Sequence, residues 1–182
     1  MLQVVAHFQQ HCVRAYARVF IVLGGAVARS YFRDIVNHHV RVGGISISAN
    51  APNCIEKTTE ALALLRETSA YAYRVVTEWI ERIGFADDTI FRVHFCDGTL
   101  LLKSDRQLPT SVLAAFIYRL ALEVMLVKKF KMPETVLTWN PRILIGLRRE
   151  LKLMHQLQCP KHYIAEQQQT IAIAERNQSR RQ

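Results

Sequence analysis

Apolar residues recur at helical spacing over most of this chain and alternate at strand spacing in two places. From residue 3 to 40 the pattern is helical, with Arg14, Arg18, Arg29 and Arg33 on recurring turns and Phe20, Ile21, Val22 and Leu23 between them. Gly24-Gly25 is a weak point that can divide this stretch into two helices, since glycine costs about 1 kcal/mol relative to alanine in a helix interior. Ile45 and Ile47 then alternate with Ser46 and Ser48, which predicts a strand ended by Asn50-Ala51-Pro52-Asn53. Residues 55–83 carry an apolar stripe through Ala61, Leu62, Leu65, Val75, Val76, Trp79, Ile80 and Ile83. Thr58 or Thr59 can cap this helix, Thr68-Ser69 can break it, and Gly84 marks its end.

The stretch from 89 to 103 reads as a β-hairpin, with Ile90, Arg92, His94 and Cys96 alternating with Phe91, Val93 and Phe95, a turn at Asp97-Gly98, and "TLLLK" as the return strand. Pro109 and Ser111 open a long helix that Pro133 stops; a further helix covers about 141–157, and another follows Pro160 to about residue 176. This order predicts an α+β fold, mostly helical, with a small antiparallel sheet of about three strands. Three segments are expected: an N-terminal helical segment over 1–44, an α+β core over 45–160, and a C-terminal helix with a basic tail over 161–182.

One helix holds a contradiction. "AAFIYRLALEVMLVKKF", residues 114–130, is apolar enough to be buried, yet it carries Arg119 and Glu123 four residues apart in its middle. Either the pair is buried and the charges neutralise each other, or it edges a partly exposed helix, where such a pair contributes about 0.2–0.5 kcal/mol.

Charge changes the picture more than bulk composition does. The 182 residues hold 24 Lys+Arg against 15 Asp+Glu, a net charge of +9. By segment the balance is +4 over residues 1–44, −2 over 45–106 and +7 over 107–182, so both ends are basic. "KKFK" (Lys128, Lys129, Lys131) and "RRELK" (Arg148, Arg149, Lys152) supply much of the C-terminal excess. Such clusters favour phosphate-bearing partners or anionic membranes, but basic side chains near a helix C-terminus also complement the helix dipole without any ligand. No helix-turn-helix, RRM or zinc-finger signature accompanies them.

The apolar run "VFIVLGGAVA" at residues 19–28 spans only about half of a bilayer core of roughly 30 Å, so no transmembrane span is predicted. Cys12, Cys54, Cys96 and Cys159 are widely spaced and form no C-x-x-C, which points to free thiols in a reducing compartment. With no secretory signal evident, a cytoplasmic location is expected.

Candidate chemistry is sparse. His7 and His11 share a helical face, but two histidines alone do not hold zinc. His38-His39 point to opposite sides of any element, and His94 reads as a half-buried strand residue. Asp87-Asp88 reads as turn chemistry. No G-x-S-x-G, P-loop or dinucleotide fingerprint occurs.

From about Cys54 to Leu157 the order of features nonetheless resembles a group of small zincin-like proteins read as metallopeptidases. "EALALLRETSAYAYRVVTEWIERI" at 60–83 precedes the hairpin, "LAAFIYRLALEVMLVKKFKMPE" lies where that group carries its H-E-x-x-H helix, and "RRELKLMHQL" at 148–157 matches its downstream run. The resemblance implies a metal site on the long helix, and there this chain departs from it. The five positions read Tyr118-Arg119-Leu120-Ala121-Leu122, with a guanidinium where the hydrolytic glutamate belongs and no donor at Leu122.

The expectation is therefore a non-catalytic binding domain on a zincin-like scaffold that has lost its metal site. It would use no cofactor, and Tyr118, Arg119, Leu122, Glu123 and Glu150 would line the vestigial cleft. Another protein is the first expected partner. The alternatives are a hydrolase with an unrecognised site, or a basic module that binds nucleic acid or an anionic membrane.

Overall fold

Ser69 divides what reads in the sequence as one long helix. It ends α1 (Pro52–Thr68) and caps α2 (Ala70–Trp79), its hydroxyl accepting the Ala72 N–H at 3.3 Å. The computed structural model describes residues 38–49, 51–86, 92–103, 108–132 and 141–179. Residues Asn37–Gln182 form one compact unit. The expected helices before residue 38, the segment 19–28, His7, His11, Cys12 and Asp87-Asp88 lie outside the described residues.

The sheet corrects the expectation of three antiparallel strands. It is mixed and has five, in the order β1-β2-β3-β5-β4: β1 (His38–Val42), β2 (Ile45–Ala49), β3 (Arg82–Ala86), β4 (Arg92–His94) and β5 (Thr99–Lys103). The β1–β2 and β4–β5 pairs are antiparallel, whereas β3 runs parallel to both β2 and β5.

Three local corrections account for the difference. Residues 38–40 belong to β1 and do not end a helix. They are joined to β2 by Gly43-Gly44, whose φ values of 57° and 89° make the two-residue turn that antiparallel strands favour. A side chain at Gly43 would also collide with the Tyr73 hydroxyl. Ile83 and Gly84 belong to β3, not to a helix end: the helical run stops at Trp79, and Glu81 donates its N–H to the Gly98 carbonyl at 3.0 Å. Thr58 and Thr59 are interior to α1, donating back to the Cys54 and Ile55 carbonyls, and Ala51 stands at its start.

The core forms in layers. Ile45, Ile47, Ile83, Leu100 and Leu102 project from one face of the sheet into the main apolar cluster. Helix α1 lies on β1 and β2, and α3 (Thr110–Phe130) packs against α1, α2 and α4 (Pro141–Gln156). Helix α5 (Lys161–Ser179) rests on α4. The 21 residues of α3 are long and apolar enough to cross a bilayer, a test that the core helix of a soluble protein also passes; 72% of its apolar window is buried inside the protein. It ends at Phe130 with Lys131 in the left-handed conformation, φ 54°.

Candidate functional site

Helical periodicity sorts the five expected cleft residues onto two faces. Tyr118 and Leu122 are i, i+4 neighbours, and Arg119 and Glu123 are the next such pair, about 100° further round. Tyr118 and Leu122 are buried in the main core. Burial raises the Tyr118 phenol above its ordinary pKa, Tyr71 adds to this and Arg149 opposes it. Arg119 and Glu123 face α4 and meet Glu150 there.

The two carboxylates flank one guanidinium. Arg119 Nη1 donates to Glu123 Oε1 at 3.0 Å, and Arg119 Nε lies 2.9 Å from Glu150 Oε2. The buried Nε–H is not aimed at an acceptor, so the second contact is electrostatic and not a formed hydrogen bond. Arg142 completes the cluster, with Nε 4.0 Å from Glu123 Oε2 and its guanidinium over the Phe95 ring at 4.5 Å. Arg119 likewise covers the Phe116 ring at 4.9 Å. The side chains are 15% exposed for Arg119, 7% for each glutamate and 1% for Arg142, so this is an interior ion cluster.

Helix α4 supplies it from one face. Arg142, Gly146, Glu150 and Met154 follow at i, i+4, i+8 and i+12, all buried, while Ile145, Arg148, Arg149 and Lys152 point outward. Gly146 lets the helices close. A Cβ there would lie 3.3 Å from Arg119 Cγ, Glu123 Cγ and Glu123 Oε1 together. Gly146→Val is therefore expected to cost about 2–3 kcal/mol by overpacking, and Gly146→Ala to forfeit the roughly 1 kcal/mol that alanine otherwise gains in a helix. Urea unfolding reads both; a Gly146→Val protein as stable as the parent would mean that α3 and α4 do not approach this closely.

Helix α5 adds a residue that the sequence reading passed over. Gln167, the first of three consecutive glutamines, donates from Nε2 to Glu150 Oε2 at 2.7 Å and to the Leu147 carbonyl at 3.2 Å. Burial lifts Glu150 to a pKa of about 7 despite Arg119 and the Gln167 bond, and Glu123 adds to the rise. Glu123 itself is raised, because burial outweighs both arginines.

Above the ion cluster lies a cleft of about 490 Å³ between α3, α4 and α5. Val112, Phe116, Ile143, Leu147 and Met154 are among its apolar walls, and Arg119, Glu150, Glu166 and Gln167 are its charged and amide groups. Tyr118 and Leu122 are not in its lining. Among the described residues no group of three or more His, Cys, Asp and Glu is placed to hold a metal ion. Within the cluster the counter-charge to the carboxylates is guanidinium.

Other sequence candidates lie elsewhere. The His39 ring sits between Ser48 Oγ, 2.9 Å from Nδ1, and Ser46 Oγ, 3.2 Å from Nε2, on a sheet whose strands contain no acidic residue to orient it. His94 is half-buried, as expected. Arg148 of "RRELK" pairs with Glu175 at 2.7 Å on the surface. Cys54 and Cys159 are buried, and Cys96 is exposed. Comparisons with protein-family models, with curated proteins and with solved structures find no match for this chain.

Proposed function

We propose that this chain is a non-catalytic binding domain, that its recognition site is the cleft between α3, α4 and α5, and that its scaffold is a zincin-like one without its metal site. The observation that carries the reading is the cleft itself: apolar walls closing on Arg119 and Glu150. Its volume falls in the range of small-ligand sites, roughly 300–1,000 Å³, and apolar walls with a few convergent polar groups are what such sites share. The α3 position where a metallopeptidase would keep its general base is a permanently charged guanidinium, which accepts no proton. The downstream carboxylate, Glu150, returns to α3 beside that guanidinium at 2.9 Å. These features favour holding a ligand over cleaving one.

Thr170 provides the test, because it is exposed on α5 and lines the cleft. A tryptophan there fills the space without entering the core. The neutral dye Nile red is expected to bind the parent protein one to one with a rise in emission. Thr170→Trp is expected to abolish binding while leaving the urea midpoint unchanged. Dye binding untouched by Thr170→Trp would overturn the choice of site. One zinc per chain in protein purified without added metal would overturn the non-catalytic reading.

A further inference from the structure

Helices α3 and α4 keep their acids inside and most of their bases outside. Each contains one acidic residue, Glu123 and Glu150, and both are buried. Lys128, half-buried, and Lys129, exposed, stand at the end of α3, and the exposed Lys131 follows them. Arg148, Arg149 and Lys152 lie on the outer arc of α4. Arg148 pairs with Glu175 of α5. Neither helix offers the other basic residues an exposed carboxylate, so the outer surface of the pair is positive.

Two large apolar side chains stand among these cations. Phe130 is 58% exposed and Ile145 is 38% exposed. The Glu123–Arg142 and Arg119–Glu150 contacts make the two helices antiparallel, so the lysines and Phe130 lie at the end of the pair where α4 begins. Phe130 is seven residues beyond Glu123, about 10 Å along α3. Gly146, the neighbour of Ile145, packs on Glu123, which puts Ile145 about two turns from Phe130 along the axis. The Lys129 ammonium lies 5.9 Å from the centre of the Phe130 ring. The helix dipole accounts for lysines at a helix C-terminus. It does not account for an exposed phenylalanine between them, nor for Arg149 and Lys152, which precede the last turn of α4.

We infer that this end of the α3–α4 pair docks on an anionic membrane surface, with Phe130 and Ile145 entering the headgroup layer and the basic residues meeting the lipid phosphates and carboxylates. Exposed apolar side chains set among lysines and arginines are what an interfacial surface combines, since each contributes where the other cannot. Nucleic acid would use the charge but has no use for Ile145, and base stacking calls for several aromatic side chains along a basic groove, whereas Phe130 is the one exposed aromatic residue here. The surface is separate from the cleft, whose lining contains neither Phe130, Ile145 nor any of these basic residues.

Co-sedimentation of the full chain with vesicles tests this, using phosphatidylcholine alone and phosphatidylcholine with about a third phosphatidylserine. Binding is expected to be at least tenfold tighter to the anionic vesicles and to weaken as salt is raised. Phe130→Ser should weaken it about tenfold with the urea midpoint unchanged. Replacing Lys128, Lys129 and Lys131 together by glutamine should weaken it at least thirtyfold. Thr170→Trp, which fills the cleft, should bind vesicles as the parent does. Equal binding to both vesicle compositions, or binding to neither, would overturn the inference. So would a triple glutamine variant that loses stability but not vesicle binding, because the lysines would then serve only the helix dipole. Anionic vesicle binding untouched by Phe130→Ser would remove the apolar contact on which the choice of a membrane depends. Duplex or single-stranded RNA bound more tightly than the vesicles, and weakened by the same variants, would overturn the membrane assignment in favour of nucleic acid.

Discussion

Arg119→Met is expected to cost about 3–5 kcal/mol of folding stability near neutral pH, because it strands two interior carboxylates. Glu123 and Glu150 would remain, each side chain 7% exposed, with Arg142 no nearer to Glu123 than 4.0 Å. Desolvation would then drive both to take up protons, so the loss should shrink toward pH 5, where protonation costs little. Glu123→Leu is expected to cost stability as well, because it removes the carboxylate that accepts the Arg119 Nη1–H and leaves that donor unfilled in a part-buried site. The double variant removes one charge of each sign. Its cost should fall short of the sum of the singles by about 2 kcal/mol or more, since the two groups share a direct 3.0 Å contact. A solvent-edge pair would instead give single losses within about 0.5 kcal/mol and simple additivity. Urea unfolding of the three variants separates the cases, and the 15% and 7% exposures lead us to expect strong coupling.

The parts of this fold legible in the sequence are those with local signals. Helix α3 begins after Pro109, α4 opens at Pro141 and α5 follows Pro160, each carrying its own periodicity. The β4–β5 hairpin announces itself by alternation around Asp97-Gly98. Strand β3 has no such signal. Its "RIGFA" follows α2 directly, and Ile83 continues the i+3/i+4 stripe of Trp79 and Ile80, so helical and strand readings both fit until the chain finds its parallel partners. Parallel pairing is made by contacts distant in sequence and leaves no turn to read. Strand β1 carries a signal, two glycines between alternating segments, but helical spacing of the apolar residues before it continues to residue 40.

The site was half legible for a similar reason. Arg119, Glu123 and Glu150 were visible as charges set among apolar residues. Which helix face each occupies depends on the packing of α3 between α2 and α4, and that packing separates Tyr118 and Leu122 from the cluster. Arg142 and Gly146 share the Glu150 face of α4, so a polar stripe repeating every four residues among leucines was the available clue. Gln167 had none, because one helical glutamine among three differs from its neighbours only by what it meets.

Glu150 gives the second large effect. Burial holds its carboxyl at about 7, against an ordinary value of 4.5. Between those values the folded chain keeps a proton that the unfolded chain has released. The stabilisation is therefore complete below about pH 4.5 and is lost as pH rises through 7. The gap corresponds to about 3 kcal/mol. Glu123, also raised, acts in the same direction. Glu150→Gln removes the titration while an amide can still meet Gln167, so this variant should be more stable than the parent at pH 8, by up to about 3 kcal/mol, and less sensitive to pH between 5 and 8. A parent protein whose stability rises over that interval, with Glu150→Gln following the same curve, would mean that Glu150 is hydrated in the folded state.

The central claim is that the cleft closes on interior charges that compensate one another, and the carboxyl carbon of Glu150 reports on this directly. Followed by ¹³C NMR in the folded protein, with Glu150→Gln to assign the resonance, it is expected to titrate with a midpoint near 7. A midpoint near 4.5 would contradict the account, because burial would then not outweigh the Arg119 charge and the Gln167 hydrogen bond at Glu150.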